Sequence, residues 1–130
     1  MIKFIKYFVY IFIVLLVLVS LIPKINTIDA LKLNKEEIKL LKIKAKNKDF
    51  KAIERLYAYY AYSLRDYNKT TYILKLAAEL GNTDYQVMLY NHLIKEKKYK
   101  EEALYWLKKA AKQNNKRAIE ELKRYKNDNN

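Results

Sequence analysis

His92 is the only imidazole in this 130-residue chain, and therefore the first place to look for acid–base chemistry near neutral pH. A general base needs a nucleophile to activate, yet the chain has no Cys and no Ser in a recognisable nucleophile motif. Glu96 follows His92 by one helical turn, which gives two potential metal ligands and no third. The acidic doublets Glu36-Glu37, Glu101-Glu102 and Glu120-Glu121 fall near expected helix starts, where carboxylates complement the helix dipole. With one Gly in the chain there is no Gly-rich phosphate loop. These residues predict a protein that is not an enzyme and holds no cofactor and no metal.

The elements that carry these residues repeat. Shifted by 33 positions, Leu41, Leu74 and Leu107 coincide, as do Lys42, Lys75 and Lys108, then Ala45, Ala78 and Ala111, and finally Leu56, Leu89 and Leu122. A fixed period of this length is the mark of stacked helical units that bury their apolar faces against one another. One Gly and one Pro leave little with which to build tight hairpins, while helix formers abound. The apolar spacing predicts helices over 35–46, 50–65, 69–80, 84–97, 100–113 and 116–126, paired as three antiparallel hairpins. Asn34 with Glu37 reads as a capping box, Asp66 precedes a helix that Gly81 stops, and Asn82 or Thr83 opens the next. Ala77, Ala78, Ala110 and Ala111 mark tight crossings, where a bulky replacement of Ala78 or Ala111 would overpack.

The N-terminus differs. Residues 7–23 carry no charge and follow Lys3 and Lys6. As a helix they would span about 26 Å, close to a bilayer core once the lysines snorkel. The expected organisation is a signal anchor or transmembrane helix over 1–24, a linker over 25–34, repeats over 35–127 and a disordered tail over 128–130. A cleaved signal peptide is the alternative, although no A-x-A-like site stands between Val17 and Ala30. Either way the expectation is export, with the repeats in the periplasm of a single-pass bacterial inner-membrane protein, or secreted after cleavage. Lys24, Lys32 and Lys35 crowd the far side and weaken the charge bias that sets orientation.

The repeats resemble a known family. Ala52-x3-Leu56-x3-Tyr60, then Asp66-Tyr67-Asn68-Lys69-x4-Leu74-x2-Ala77-Ala78-x2-Gly81, and Tyr99 to Trp106 followed by Lys108-Lys109-Ala110-Ala111, resemble the Sel-one-like repeat, a cousin of the tetratricopeptide repeat. The resemblance covers residues 38 to 126 and implies an all-α fold, a short α-solenoid. It departs where the family has Gly after the conserved Leu and this chain has Tyr57, Tyr90 and Lys123. A Tyr there would wedge helices apart and flatten the superhelix. The resemblance implies a binding scaffold: an immunity-type protein that neutralises an exported toxin or effector, with an envelope adaptor organising a membrane complex as the alternative.

The same register sorts candidate partner-binding residues into columns. Tyr59, His92 and Tyr125 share one, Arg55 and Met88 align with Glu121, and Tyr62 aligns with Lys95. Two readings stay open: half-buried packing between repeats, or a surface where Tyr and Arg act as hot spots for a protein partner. A net charge of +13 favours an acidic partner. Setting Lys3 and Lys6 aside leaves 25 Lys and Arg against 14 acids, and 13 tyrosines could stack on bases. Export argues against a nucleic-acid partner, and anionic membrane headgroups account for the excess charge without a special motif.

Overall fold

The structure is a computed structural model that describes residues 6, 7, 10–14 and 31–128. The chain divides into two units, Met1–Ala30 and Leu31–Asn130. The described residues of the first are helical and exposed. Among the described residues no helix is long and apolar enough to cross a membrane. The expected anchor over 1–24 and linker over 25–34 lie largely outside the described residues.

The second unit is all-helical among the described residues. In chain order the helices are α1 (Lys35–Lys46), α2 (Phe50–Ala58), a π-helical turn (Tyr59–Ser63), α3 (Tyr67–Glu79), α4 (Thr83–Leu93), a 3-10 turn (Lys97–Tyr99), α5 (Lys100–Lys112) and α6 (Lys116–Asp128). Each helix packs chiefly on the one before and the one after it in sequence. That sequential pattern is what a stack of short helical pairs requires.

Why the helices begin where they do is written in the caps. Asn34 accepts a hydrogen bond from Glu37 N at 2.9 Å while the Glu37 carboxylate accepts from Asn34 N at 2.8 Å, the reciprocal capping box expected from their spacing. Asp49, Asp66, Asn82 and Asn115 each accept from a backbone N–H of the helix that follows.

The turns between paired helices are three copies of one geometry. Lys48, Gly81 and Asn114 have φ of 64°, 91° and 62°. The next residues, Asp49, Asn82 and Asn115, donate their N–H to the carbonyls of Lys44, Ala77 and Ala110 at 3.1, 3.3 and 3.1 Å. Lys48, Gly81 and Asn114 donate to Ala45, Ala78 and Ala111. Both bonds together make a Schellman motif, and the residue that closes it is also the cap of the next helix. All three junctions fall 33 residues apart, so the sequence period is a period of backbone geometry.

These turns yield a paired prediction. A Cβ on Gly81 would meet nothing within 4 Å, so Gly81→Ala is costly only through its positive φ, by about 1 kcal/mol. Lys48→Gly relieves the same strain and is expected to stabilise by about 0.5 kcal/mol. Urea midpoints at unchanged m values measure both.

The core forms two clusters. One gathers Ala45, Ala52, Ile53, Leu56, Tyr60, Ile73 and Ala77, and the other is centred on Leu74, Leu89, Leu93, Trp106 and Leu107. Tyr57 and Tyr85 pack against both and join them. The repeat columns grade along the chain: Leu56 and Leu89 are wholly buried and Leu122 only partly, while Ala45 and Ala78 are wholly buried and Ala111 partly. Buried Gln86 crosses between the pairs, donating to Ala78 O at 3.1 Å and accepting from Gln113 Nε2 at 3.1 Å.

Two helices end earlier than the spacing predicts. The expected helix 50–65 changes at Tyr59 into a wider turn, in which Leu64 N donates to Tyr59 O at 2.9 Å. There Tyr60 is buried while Tyr62 swings outward. The helix expected to reach 97 stops at Leu93, because Lys95, Glu96, Lys97 and Lys98 are all exposed and offer no apolar face to bury. At the other end α6 runs to Asp128, the first residue of the expected tail, and residues 129 and 130 lie outside the described set.

Candidate interaction surface

Where α2 approaches α3 and α4 there is a cleft of about 180 Å³ lined by Tyr57, Leu74, Met88, Asn91, His92 and Lys95. A neighbouring hollow of about 220 Å³ shares Tyr57 and His92 and adds Ala61, Arg65, Tyr67 and Thr70. Tyr57 and His92 therefore form the wall common to both. Arg65 reaches it from the turn before Asp66, where its backbone holds a φ of 52°.

His92 is held from two sides. Its ring stacks on Tyr67 with centroids 4.2 Å apart and planes 21° from parallel. Its Nε2 lies 2.8 Å from Thr71 Oγ1, which is itself 2.8 Å from Tyr67 O. Thr71 and the Tyr67 carbonyl therefore both stand within reach of the imidazole, and the tautomer decides which partner donates across the Thr71 contact. Burial lowers the His92 pKa, a hydrogen bond to the Tyr67 backbone offsets part of this, and Lys95 adds to the lowering.

His92 takes a proton less readily in the folded chain than in the unfolded one, whose ordinary value is 6.5. Its contribution to stability is present above that value and is lost as pH falls through and below it. Unfolding midpoints should drop between about pH 7.5 and about pH 5.5, with the slope flattened in His92→Phe. Asp66, held down by its hydrogen bonds with Lys69, acts in a separate window below its ordinary 3.8.

Tyr57 is pushed up to about 12, first by burial and then by its hydrogen bond with Tyr62. The two rings meet edge to face at 5.7 Å. Tyr62 is 58% exposed, so one phenol of the pair is anchored and the other is presented to solvent. The surface is then a neutral aromatic wall with the cations Lys95 and Arg65 at its rim. The described residues contain no group of three His, Cys, Asp or Glu that could hold a metal ion.

Of the residues that the sequence singled out, Met88, His92 and Lys95 line one cleft and Tyr62 covers its wall. Arg55 lines a separate hollow of about 260 Å³ with Lys51, Glu54 and Ala58, and its guanidinium donates to Lys32 O at 3.5 Å. Tyr59 packs on the first cluster beside Tyr60. Tyr125 lies under Lys100, whose Nζ is 5.4 Å from the ring centroid.

The column Tyr59, His92, Tyr125 nevertheless keeps its register as a register of contacts. His92 stacks on Tyr67, and Tyr125 meets Lys100, a pair shifted by 33 at both members. All three column residues are half-buried. The His92 and Tyr125 contacts thus join the two helices of one pair, α3 with α4 and α5 with α6, and what stands open beside His92 is Tyr62, Lys95 and Arg65.

Sequence reasoning did not select Tyr57, Arg65, Tyr67 or Asn91 as site residues. For Tyr57 a signal existed, since it occupies a position where the resembling family has Gly. For Tyr67 the signal was the same 33-residue shift that pairs it with Lys100. Scans of family models, of curated proteins and of solved structures each give no match to this chain.

Proposed function

We propose that residues 35–127 form a short Sel-one-like, tetratricopeptide-like α-solenoid that works as a protein-binding module. The module is of the immunity type: it binds an exported toxin or effector and neutralises it by occlusion. The chain is anchored through residues 1–24 in a bacterial inner membrane, with the repeats in the periplasm. Three Schellman junctions at 33-residue intervals and chiefly sequential packing support the solenoid.

The observation that carries the binding reading is the cleft between α2, α3 and α4. A neutral aromatic wall of Tyr57 and Tyr62, the flexible Met88 and the cationic Lys95 make an amphipathic surface of the kind that hot spots occupy. The net charge of +13 suits an acidic partner and speeds its approach. The immunity assignment rests on the resemblance.

Co-purification with the tagged chain tests the reading. Tyr62→Ala combined with Lys95→Glu changes two exposed residues, so folding is kept while partner affinity falls by about tenfold or more. Recovery of an exported toxin that the double variant fails to retain is the expected result. Recovery of envelope assembly factors alone, at stoichiometric amounts, would instead identify an adaptor.

A further inference from the structure

The stack opens on a helix that differs from its two counterparts in a specific way. Ile73 on α3 and Trp106 on α5 are buried in clusters that include residues of the helix before them, Ile53 and Leu56 for one, Tyr90 and Leu93 for the other. Their equivalent on α1 is Leu40, which is 53% exposed. Ile43, equivalent to the half-buried Leu76, is 52% exposed. The same face of α1 departs from its counterparts in charge. Where α3 and α5 have wholly buried Ala77 and Ala110, α1 has exposed Lys44, and where they have Thr70 and Ala103 it has exposed Glu37.

Those exchanges decide what can cover the face. A helix docked as α2 docks on α3 would have to bury the Lys44 ammonium at a point where the repeat tolerates only a methyl group, at a large desolvation cost. A bilayer surface makes no such demand. Lysine amines snorkel to the headgroups while short apolar side chains enter the interface. At about 100° per residue, Leu40 and Ile43 point away from Ile38, Leu41 and Ala45, with Lys39 and Lys46 on one flank and Lys44 on the other. All three lysines are exposed. Glu36 stands at the N-terminal end of this face, where it complements the helix dipole.

We propose that the outer face of α1 is a contact surface for anionic lipid headgroups, with Leu40 and Ile43 entering the interface and Lys39, Lys44 and Lys46 meeting the headgroup charge. This surface is separate from the cleft at His92. It stands or falls with lipid alone, whatever protein the cleft takes.

The chain has no Cys, so Leu40→Cys in the full-length protein gives a single site for an environment-sensitive fluorophore. The labelled protein is mixed with vesicles of phosphatidylcholine or of phosphatidylcholine with phosphatidylglycerol. The expected result is a blue-shifted, brighter emission, protected from iodide, in the anionic vesicles only. Raising salt to about 1 M, where the Debye length is about 3 Å, should reverse it. Lys39→Glu, Lys44→Glu and Lys46→Glu together should abolish the response, lowering surface affinity by about a hundredfold at about fivefold per lysine. A label at Lys123 on α6 should not respond. Emission that ignores lipid charge, an equal response at Lys123, or a response at Leu40 that requires an added protein would each overturn the proposal.

Discussion

Leu89→Ala is expected to destabilise the helical unit by about 3 to 5 kcal/mol, the cost of truncating a fully buried leucine in a site that cannot collapse. Leu89 is wholly buried in the second cluster, among Leu74, Leu93 and Leu107. A domain of this size has about 5 to 15 kcal/mol in all, so the variant should lose between about a fifth and all of its stability. Its column mate Leu122 makes the control. Leu122 is only partly buried, at the end of the stack, and Leu122→Ala should cost about 1 kcal/mol. Urea unfolding followed by far-ultraviolet circular dichroism measures both. Equal costs at the two positions would mean that α6 is covered by something further, and a change below about 1 kcal/mol at Leu89 would contradict its place at the centre of the core.

The contrast shows what the sequence could convey. A column of identical residues announces a repeated packing position, and Leu56, Leu89 and Ala78 are buried as the register predicts. Position within the column is legible too, since the ends of a finite stack have a neighbour on one side only. The capping residues were readable because a side-chain oxygen before a helix has one common use. The junction turns were half readable. Gly81 declares a positive φ, but Lys48 and Asn114 take the same conformation behind side chains that do not announce it. Only the Schellman bonds, which depend on where the next helix lies, identify them.

The candidate surface was less legible for a related reason. Its wall depends on the π-helical turn at Tyr59–Ser63, a local change of pitch that no spacing in the run from Ala58 to Leu64 declares. The turn brings Tyr62 against Tyr57. Hydrophobic periodicity could assign His92 to a column but not say which ring it would stack on, because that is a contact between α3 and α4 rather than a property of either. Half-burial of the column residues also follows from geometry. Where the two helices of a pair meet, one side of the His92 ring packs on Tyr67 and the other lines the cleft.

The last junction should respond to Asn115→Ala by about 2 kcal/mol, about twice the effect of Asp49→Ala at the first. Both residues cap a helix, Asp49 through Ala52 N and Asn115 through Ala118 N. Asn115 does more. Its Nδ2 donates to Thr83 Oγ1 at 3.0 Å and to Asp84 Oδ1 at 2.9 Å, which ties the start of α6 to the start of α4. The bond to Asp84 involves a charged acceptor, although one exposed to solvent, so its share is about 0.5 to 1 kcal/mol. Asn115→Asp separates the two roles. It keeps the capping oxygen but loses both donors and sets a carboxylate against Asp84, so it should be no better than the alanine at neutral pH. A cycle with Asp84→Ala should show coupling of about 0.5 to 1 kcal/mol in the parent pair. If Asn115→Ala instead cost no more than Asp49→Ala, the bonds across 31 and 32 residues would add nothing to the cap.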